Sequence, residues 1–194
     1  MLRLVAAGAI LLAGIAAQAP KAEAAFIATA QQVGGNVDVV GSGTLDLTDL
    51  TLFTSGSGGA YIQPDDAQIL LGASNVLIYF GLTGPGNFGS GGAAPNSSRT
   101  GEAVGLAEIV STLDLFVPAD YVSGSSLTSS ADFTGSFAGI GITPGTYVWT
   151  WGSGGDADSF TLRFAVPEPA SALLLGLPLA GTLLARRRTA RGQA

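Results

Sequence analysis

Apolar and polar residues alternate one by one along much of the middle of this 194-residue chain, and this pattern constrains the fold most strongly. In the segment 159–164, Phe160, Leu162 and Phe164 alternate with serine, threonine and arginine. Successive side chains of a β-strand point to opposite faces of a sheet, so a period of two places these three residues on one face. We therefore expect an all-β protein.

Turn residues separate roughly eight to ten such strands. Residues 64–66 and 144–145 are turns by residue type, and the change of apolar phase between Leu47 and Leu50 predicts a turn or bulge at residues 48–49. The expected architecture is an antiparallel β-sandwich, jelly-roll-like. Pairing of its first and last strands would bring the two ends of the domain together.

Two segments are expected to depart from the strand pattern. Seven of the 21 residues from 81 to 101 are glycine, which predicts a long surface loop with one short edge strand near Phe88. Residues 102–109 form the one place where a short helix is plausible. The apolar runs 69–71 and 76–80 are expected to be central strands, buried on both faces.

Residues 1–24 have the features of a secretory signal peptide. Arg3 gives a positive start, residues 4–17 are apolar, and residues 22–24 fit a small-x-small cleavage site. The alternative, a retained membrane helix, is disfavoured because the apolar run is only about 14 residues long. Cleavage after Ala24 would leave residues 25–165 as one exported domain.

The composition of residues 25–165 excludes several functions. This segment has twelve acidic residues and only two basic ones, Arg99 and Arg163, so its net charge is −10. The whole chain carries −6. Such an acidic domain repels nucleic acid, so we expect no nucleic-acid partner. The chain also has no cysteine and no histidine, which excludes disulfides, thiol catalysis and the usual histidine base or zinc ligand.

The C-terminal tail consists of three parts. They are a proline-bounded motif of Val166, Pro167, Glu168 and Pro169, an uncharged run from 170 to 185, and a membrane stop of Arg186, Arg187 and Arg188. Sixteen helical residues span roughly 24 Å, somewhat less than a bilayer core of about 30 Å. The arginines are typical of the cytoplasmic side of the inner membrane. We expect a C-terminal transmembrane helix, and an anchor that is never cut is the alternative.

This order of parts resembles the PEP-CTERM sorting signal over residues 166–191. The resemblance implies recognition by an exosortase, a membrane protease, and cleavage near residues 167–169. It also implies transient anchoring in the inner membrane, followed by export to the surface of a Gram-negative bacterium that makes exopolysaccharide. The same tail is also classed as an ice-binding protein C-terminal domain. Pro178 within a slightly short apolar run is a departure from the pattern.

The body also resembles a recurrent domain of small PEP-CTERM proteins. The matching segments are residues 84–89, 121–124, 144–154 and 157–162. This resemblance implies a shared fold and brings no biochemical activity with it.

Two groups of residues are candidates for ligand binding. Asp156 and Asp158, with residues 65–66 or Asp38, have the oxygen ligands that calcium prefers, although Asp is also an ordinary turn residue. A second group, on one face of a predicted strand, is a candidate carbohydrate contact, although such a row is more often core. Its members are Tyr147, Trp149 and Trp151.

Evidence for an enzyme is weaker. Gly84, Gly86 and Gly89 match a dinucleotide fingerprint, but no helical pattern follows, which favours a plain loop. Paired carboxylates for glycoside hydrolysis are expected by chance among so many turns. The sequence favours a non-enzymatic cell-surface or extracellular-matrix protein associated with exopolysaccharide and biofilm. The alternative is a carbohydrate- or calcium-binding surface module.

Overall fold

The computed structural model describes residues 25–109 and 112–165, which are mainly β-strand. In chain order the strands are β1 (Ala25–Val33), β2 (Asn36–Gly43), β3 (Thr51–Gln63), β4 (Gln68–Phe80), β5 (Ala94–Thr100), β6 (Val104–Glu108), β7 (Leu113–Pro118), β8 (Leu127–Thr134), β9 (Gly145–Trp151) and β10 (Asp158–Ala165). One four-residue helix, α1 (Phe137–Ile140), lies between β8 and β9. The all-β prediction is confirmed for these residues.

The ten strands form one curled, mixed sheet. Their order is β6-β7-β4-β3-β5-β8-β2-β1-β10-β9, and β6 also pairs with β4. Every pair is antiparallel except β1 and β10, which run parallel. The first and last strands therefore pair as expected. The expectation of a wholly antiparallel sheet is wrong at this one pair.

The parallel register of β1 and β10 separates the ends of the domain. Ala25 lies opposite Ser159, and Ala165 lies opposite Gln31. Six residues of rise, at about 3.3 Å each, place Ala25 and Ala165 roughly 20 Å apart along the strands. The expectation that both ends come together is wrong, because it assumed an antiparallel pair.

Apolar residues from both halves of the sheet form the main core. Phe26 on β1 and Phe160 on β10 stack at 5.3 Å inside it, and both are fully buried. A second, smaller cluster includes Leu70, Val76 and Phe116. Since the first half of β4 contributes to both clusters, residues 69–71 are buried on both faces, as predicted. The prediction is wrong at the end of the second run, where Phe80 is 43% exposed.

The predicted helix at residues 102–109 is strand β6. Four of its five residues are buried, and it pairs with both β4 and β7. A helix of that length would expose part of its surface, so pairing between two strands overrides local propensity. Gly105 adopts φ 149°, and a Cβ there would lie 2.1 Å from the Ile69 carbonyl oxygen.

The segment after β4 is a loop, as predicted, but the short strand that was expected near Phe88 lies later in the chain. Residues 94–100 form β5, whereas Phe88 is fully buried and its ring centre lies 5.1 Å from that of Phe164. The predicted turns at residues 48–49 and 64–66 are confirmed.

Within the two described ranges, no helix has the length and apolar character that a membrane crossing requires. The predicted signal peptide, residues 1–24, and the predicted sorting tail, residues 166–191, lie outside those ranges.

Candidate functional site

The connection between β2 and β3, residues 44–50, receives side chains from distant parts of the chain. The Leu45 N–H donates to the Tyr121 hydroxyl at 2.8 Å. That hydroxyl lies within donating distance of the carbonyl oxygens of Leu45, at 3.1 Å, and Ser125, at 2.8 Å. Ser123 accepts from the Leu47 N–H at 2.9 Å. The loop after β7 is therefore fastened to the 44–50 loop by two hydroxyl side chains.

Trp151 and Asp158 bind the same loop. They face each other across β9 and β10. The Trp151 indole N–H donates to the Asp46 carbonyl oxygen at 2.7 Å, and Asp158 Oδ2 accepts from the Asp46 N–H at 2.5 Å. Both backbone polar groups of Asp46 are therefore satisfied by buried side chains of one strand pair.

The acidic side chains of the loop act as acceptors. Asp46 Oδ1 accepts from the Thr48 N–H at 3.0 Å and from the Thr48 hydroxyl at 2.5 Å. It also accepts from the Ser123 hydroxyl at 3.2 Å. Asp49 Oδ2 accepts from the Ser153 N–H at 3.2 Å. These bonds are those of an Asp-initiated turn, so the carboxylates shape the loop.

Asp158 is the most deeply buried carboxylate of this cluster, with 5% of its surface exposed. Burial raises its pKa, hydrogen bonds from the Asp46 and Ser159 N–H groups oppose that rise, and the nearby Asp46 carboxylate adds to it. Each Asp158 oxygen accepts from one of these N–H groups at 2.5 Å. This engagement suits a structural acceptor better than a group that contacts a substrate.

The carboxylates proposed for calcium lie on separate elements. Asp156 ends the short turn before β10, and Asp158 points at the 44–50 loop. Asp38 on β2 lies opposite Asp132 on β8, and residues 65–66 are in the turn before β4. Among residues 25–109 and 112–165, no group of three or more acidic side chains is arranged to hold a metal ion. Calcium binding stays a prediction without a built site.

The three aromatic residues proposed for carbohydrate contact are part of the core. Trp149 and Trp151 are 1% and 4% exposed, and Tyr147 is half-buried. The Trp149 N–H donates to the Pro85 carbonyl oxygen at 2.9 Å, and the Tyr147 hydroxyl donates to that of Thr143 at 2.9 Å. Burial of the two indole rings favours their role in the core, and carbohydrate contact through them stays a prediction.

Packing explains two of the three glycines in the 84–89 segment. A Cβ at Gly84 would lie 2.3 Å from Trp149 Cδ1, and one at Gly89 would lie 2.0 Å from the Gly141 carbonyl oxygen. Gly86 has no atom within 4 Å of the equivalent position. The next element is strand β5 rather than a helix, so the geometry of a dinucleotide site is missing here.

Residues 84–89, 121–124 and 144–162 meet around β9. Residues 84–89 contact Trp149, whereas residues 121–124 and Trp151 both bind the 44–50 loop. We call this arrangement the tryptophan clamp: Trp149, Trp151, Asp158, Tyr121 and the 44–50 loop.

Sequence reasoning missed Asp46 and Asp114. Asp46 had one usable signal, the Asp-x-Thr spacing of an Asp-initiated turn. Asp114 on β7 is 1% exposed, and its Oδ1 accepts from the Thr112 hydroxyl at 3.0 Å. Burial raises the Asp114 pKa, although hydrogen bonds to Thr112 and Ile109 oppose this and the Glu108 charge adds slightly. Nothing in the alternation of β7 distinguishes this buried carboxyl from an exposed one.

A cleft of about 260 Å³ lies beside the clamp. Its lining is Val148, Thr150, Trp151, Gly152, Ala157, Asp158 and Ser159.

No protein-family model, curated protein or solved structure matches this chain.

Proposed function

We propose that this protein is a non-enzymatic component of a bacterial cell surface or extracellular matrix, associated with exopolysaccharide and biofilm. A signal peptide exports it, and the PEP-CTERM tail holds it in the inner membrane until an exosortase-type protease processes it. The described domain is then a stable exported module, and its finer architecture is a jelly-roll-like sandwich.

The position of the motif relative to the last strand carries this proposal. β10 remains in the sheet as far as Ala165, which lies opposite Gln31, and Val166 follows directly. Residues 167–169 thus come two residues after the end of the sheet. A protease acting there would leave every strand of the domain intact, as release of a folded module requires.

Contacts between the two halves of the sheet support the sandwich. β5 pairs with β3 at residues 61–62 and with β8 along most of its length, so it connects the halves on one side. Thr83, just after β4, pairs with Thr150 of β9 on the other side. The main core lies between these two connections.

The use of carboxylates supports a structural role. Asp46, Asp49 and Asp158 accept hydrogen bonds that shape the 44–50 loop. A hydrolase needs two carboxyl groups that face a shared space where the substrate binds. These three are used to fasten the loop instead.

The test is the intact mass and location of the full chain in a bacterium with an exosortase, compared with a Glu168→Ala variant. We expect the unmodified chain to lose Arg186–Arg188, to end near residues 167–169 and to leave the inner membrane, whereas the variant stays uncut. Glu102→Ala, at an exposed carboxylate of the body, is the matched control and should be processed normally. Retention of the arginines in the unmodified chain would make this an anchored domain and overturn the proposal.

A further inference from the structure

Among the described strands, none lies beside one edge of β3 over nine residues. Residues 51–63 pair with β4 along one side, but on the other side β5 meets only Tyr61 and Ile62. In the ranges 25–109 and 112–165, no strand pairs with the outer side of residues 51–59. Seven consecutive residues, 51–57, are exposed although they alternate between both faces. We call residues 51–59 the open edge.

Apart from one irregularity at Phe53, the open edge lacks, within the described ranges, the features that usually prevent strand-to-strand association. Natural edges are protected by charge, proline, bulges or a covering segment. Residues 51–63 contain no charged residue and no proline. The irregularities of pairing fall at Phe53 and Ala60, which leaves 54–59 regular.

The strands at the two ends of the sheet order are better protected. β9 exchanges two backbone hydrogen bonds with Thr83, through the N–H and carbonyl of Thr150, at 2.8 and 2.9 Å. β6 has a strand on each side, because it pairs with β4 at residues 104–106 and with β7 at residues 105–108. The open edge differs from both, because it carries no charge and no described strand pairs with it.

The side chains at the two ends of the open edge also complement each other in size. Its first part holds Leu52 and Phe53, which are 52% and 49% exposed, and its last part holds Gly58 and Gly59. An antiparallel pair with a two-fold axis at residue 55 places Leu52 and Phe53 of one copy opposite Gly58 and Ser57 of the other, and an axis at residue 56 places them opposite Ala60 and Gly59. Aromatic side chains pack well over glycine in a neighbouring strand.

We infer that the open edge pairs antiparallel with the open edge of a second copy of this chain. The paired edge is uncharged, whereas residues 25–165 carry a net charge of −10, so the acidic surfaces repel each other while the edges associate. Screening by salt weakens that repulsion. Association should therefore increase with ionic strength. This inference is independent of the proposed sorting, since it concerns the folded body before or after any cleavage.

A single introduced cysteine tests the inference in the full chain, which has no cysteine of its own. The variants are Ser55→Cys, Gly56→Cys and Ser57→Cys. An added Cβ at Gly56 would lie 3.8 Å from Ile78 Cδ1, an ordinary contact. A disulfide needs Cβ atoms about 3.5–4.5 Å apart, so only the residue nearest the two-fold axis links efficiently to its own copy.

The matched control is Ser42→Cys. Ser42 is exposed like the three test positions, but it lies on β2, which is paired on both sides. Expressing cells are treated with an oxidant, and the covalent dimer is read by mass on a non-reducing gel. We expect one of the three positions to exceed the control by at least about fivefold, and the excess to grow as salt is raised.

The cysteine variants and a lysine substitution on the open edge can each contradict the inference. If none of the three positions exceeds Ser42→Cys, or if the linked species contains another protein, the inference is overturned. Thr54→Lys, added to the best-linking variant, places a charge on the open edge and should abolish the dimer. Ser42→Lys in the same background should leave it unchanged. A dimer that survives Thr54→Lys would contradict pairing through this edge.

Discussion

Trp151 and Asp158 face each other on β9 and β10 and bind the carbonyl and the N–H of a single residue, Asp46. This joint attachment holds the 44–50 loop against the last two strands. Because both side chains are buried, loss of either one removes one of the two hydrogen bonds that satisfy the backbone of the half-buried Asp46.

Trp151→Phe should destabilise the protein. Phenylalanine keeps most of the ring but removes the N–H, so the Asp46 carbonyl loses its partner, at a cost of about 1–3 kcal/mol. Val148→Ala, on the exposed face of the same strand, should change stability by only about 0.5 kcal/mol. Urea unfolding of both variants measures the difference. Equal stabilities would show that the bond from Trp151 contributes nothing.

Gly84→Ala and Gly86→Ala should differ although they are two residues apart. A Cβ at Gly84 would lie 2.3 Å from Trp149 Cδ1, so the ring or the loop must move, at about 1–3 kcal/mol. A Cβ at Gly86 meets nothing within 4 Å, and its effect should stay within about 0.5 kcal/mol. Thermal unfolding compares the two. A larger loss at Gly86 would point to a role other than packing.

The free energy of unfolding should fall as pH rises, because the buried Asp114 carboxyl loses its proton. Burial raises its pKa in the folded state, so the folded protein holds this proton more tightly than the unfolded chain does. The favourable contribution is complete below the ordinary value of 3.8 and is lost as pH rises through the raised pKa.

Asp114→Asn should therefore reduce the change in stability between acidic and neutral pH. Asp120→Asn, which removes a carboxylate at an exposed position, is the control. Unfolding free energies measured between about pH 4 and pH 7 test this. A profile that Asp114→Asn does not alter would assign the pH dependence to other groups, of which Asp38 and Asp158 also have raised pKa values.

If calcium binds the domain, as the sequence predicts, it should raise the melting temperature even though the described carboxylates are not arranged around it in advance. Both Asp158 oxygens already accept backbone hydrogen bonds, and the described carboxylates form no group that could hold a metal ion. A ligand at 100 times its Kd would add about 2.7 kcal/mol, which is a shift of several degrees. Melting in millimolar calcium and in chelator tests this. A shift of that size would show a site that forms only when calcium binds.

The alternation of apolar and polar residues predicted the strands that have one buried face and one face exposed to solvent. Phe160, Leu162 and Phe164 alternate as their positions in β10 require, and all three are buried. The turn at residues 48–49 followed from a change of phase. These features depend on neighbouring residues alone, so the sequence carries them directly.

Features set by distant strands could not be predicted in this way. β6 is a strand because β4 and β7 lie on either side of it, and Phe88 is buried because it packs between Tyr147 and Phe164. The tryptophan clamp joins Asp46 to Trp151, 105 residues away, and no local signal couples them. The parallel direction of β1 and β10 is likewise a property of the whole topology.

That parallel pair has a mechanical consequence. Tension applied between Ala25 and Ala165 pulls two adjacent parallel strands in opposite directions along their length, so the backbone hydrogen bonds of the register are loaded together, in shear. An antiparallel terminal pair, with its ends side by side, would instead unzip one bond at a time. A module tethered between a cell and its surroundings would resist force as one unit, which single-molecule pulling from the two ends measures as a high rupture force.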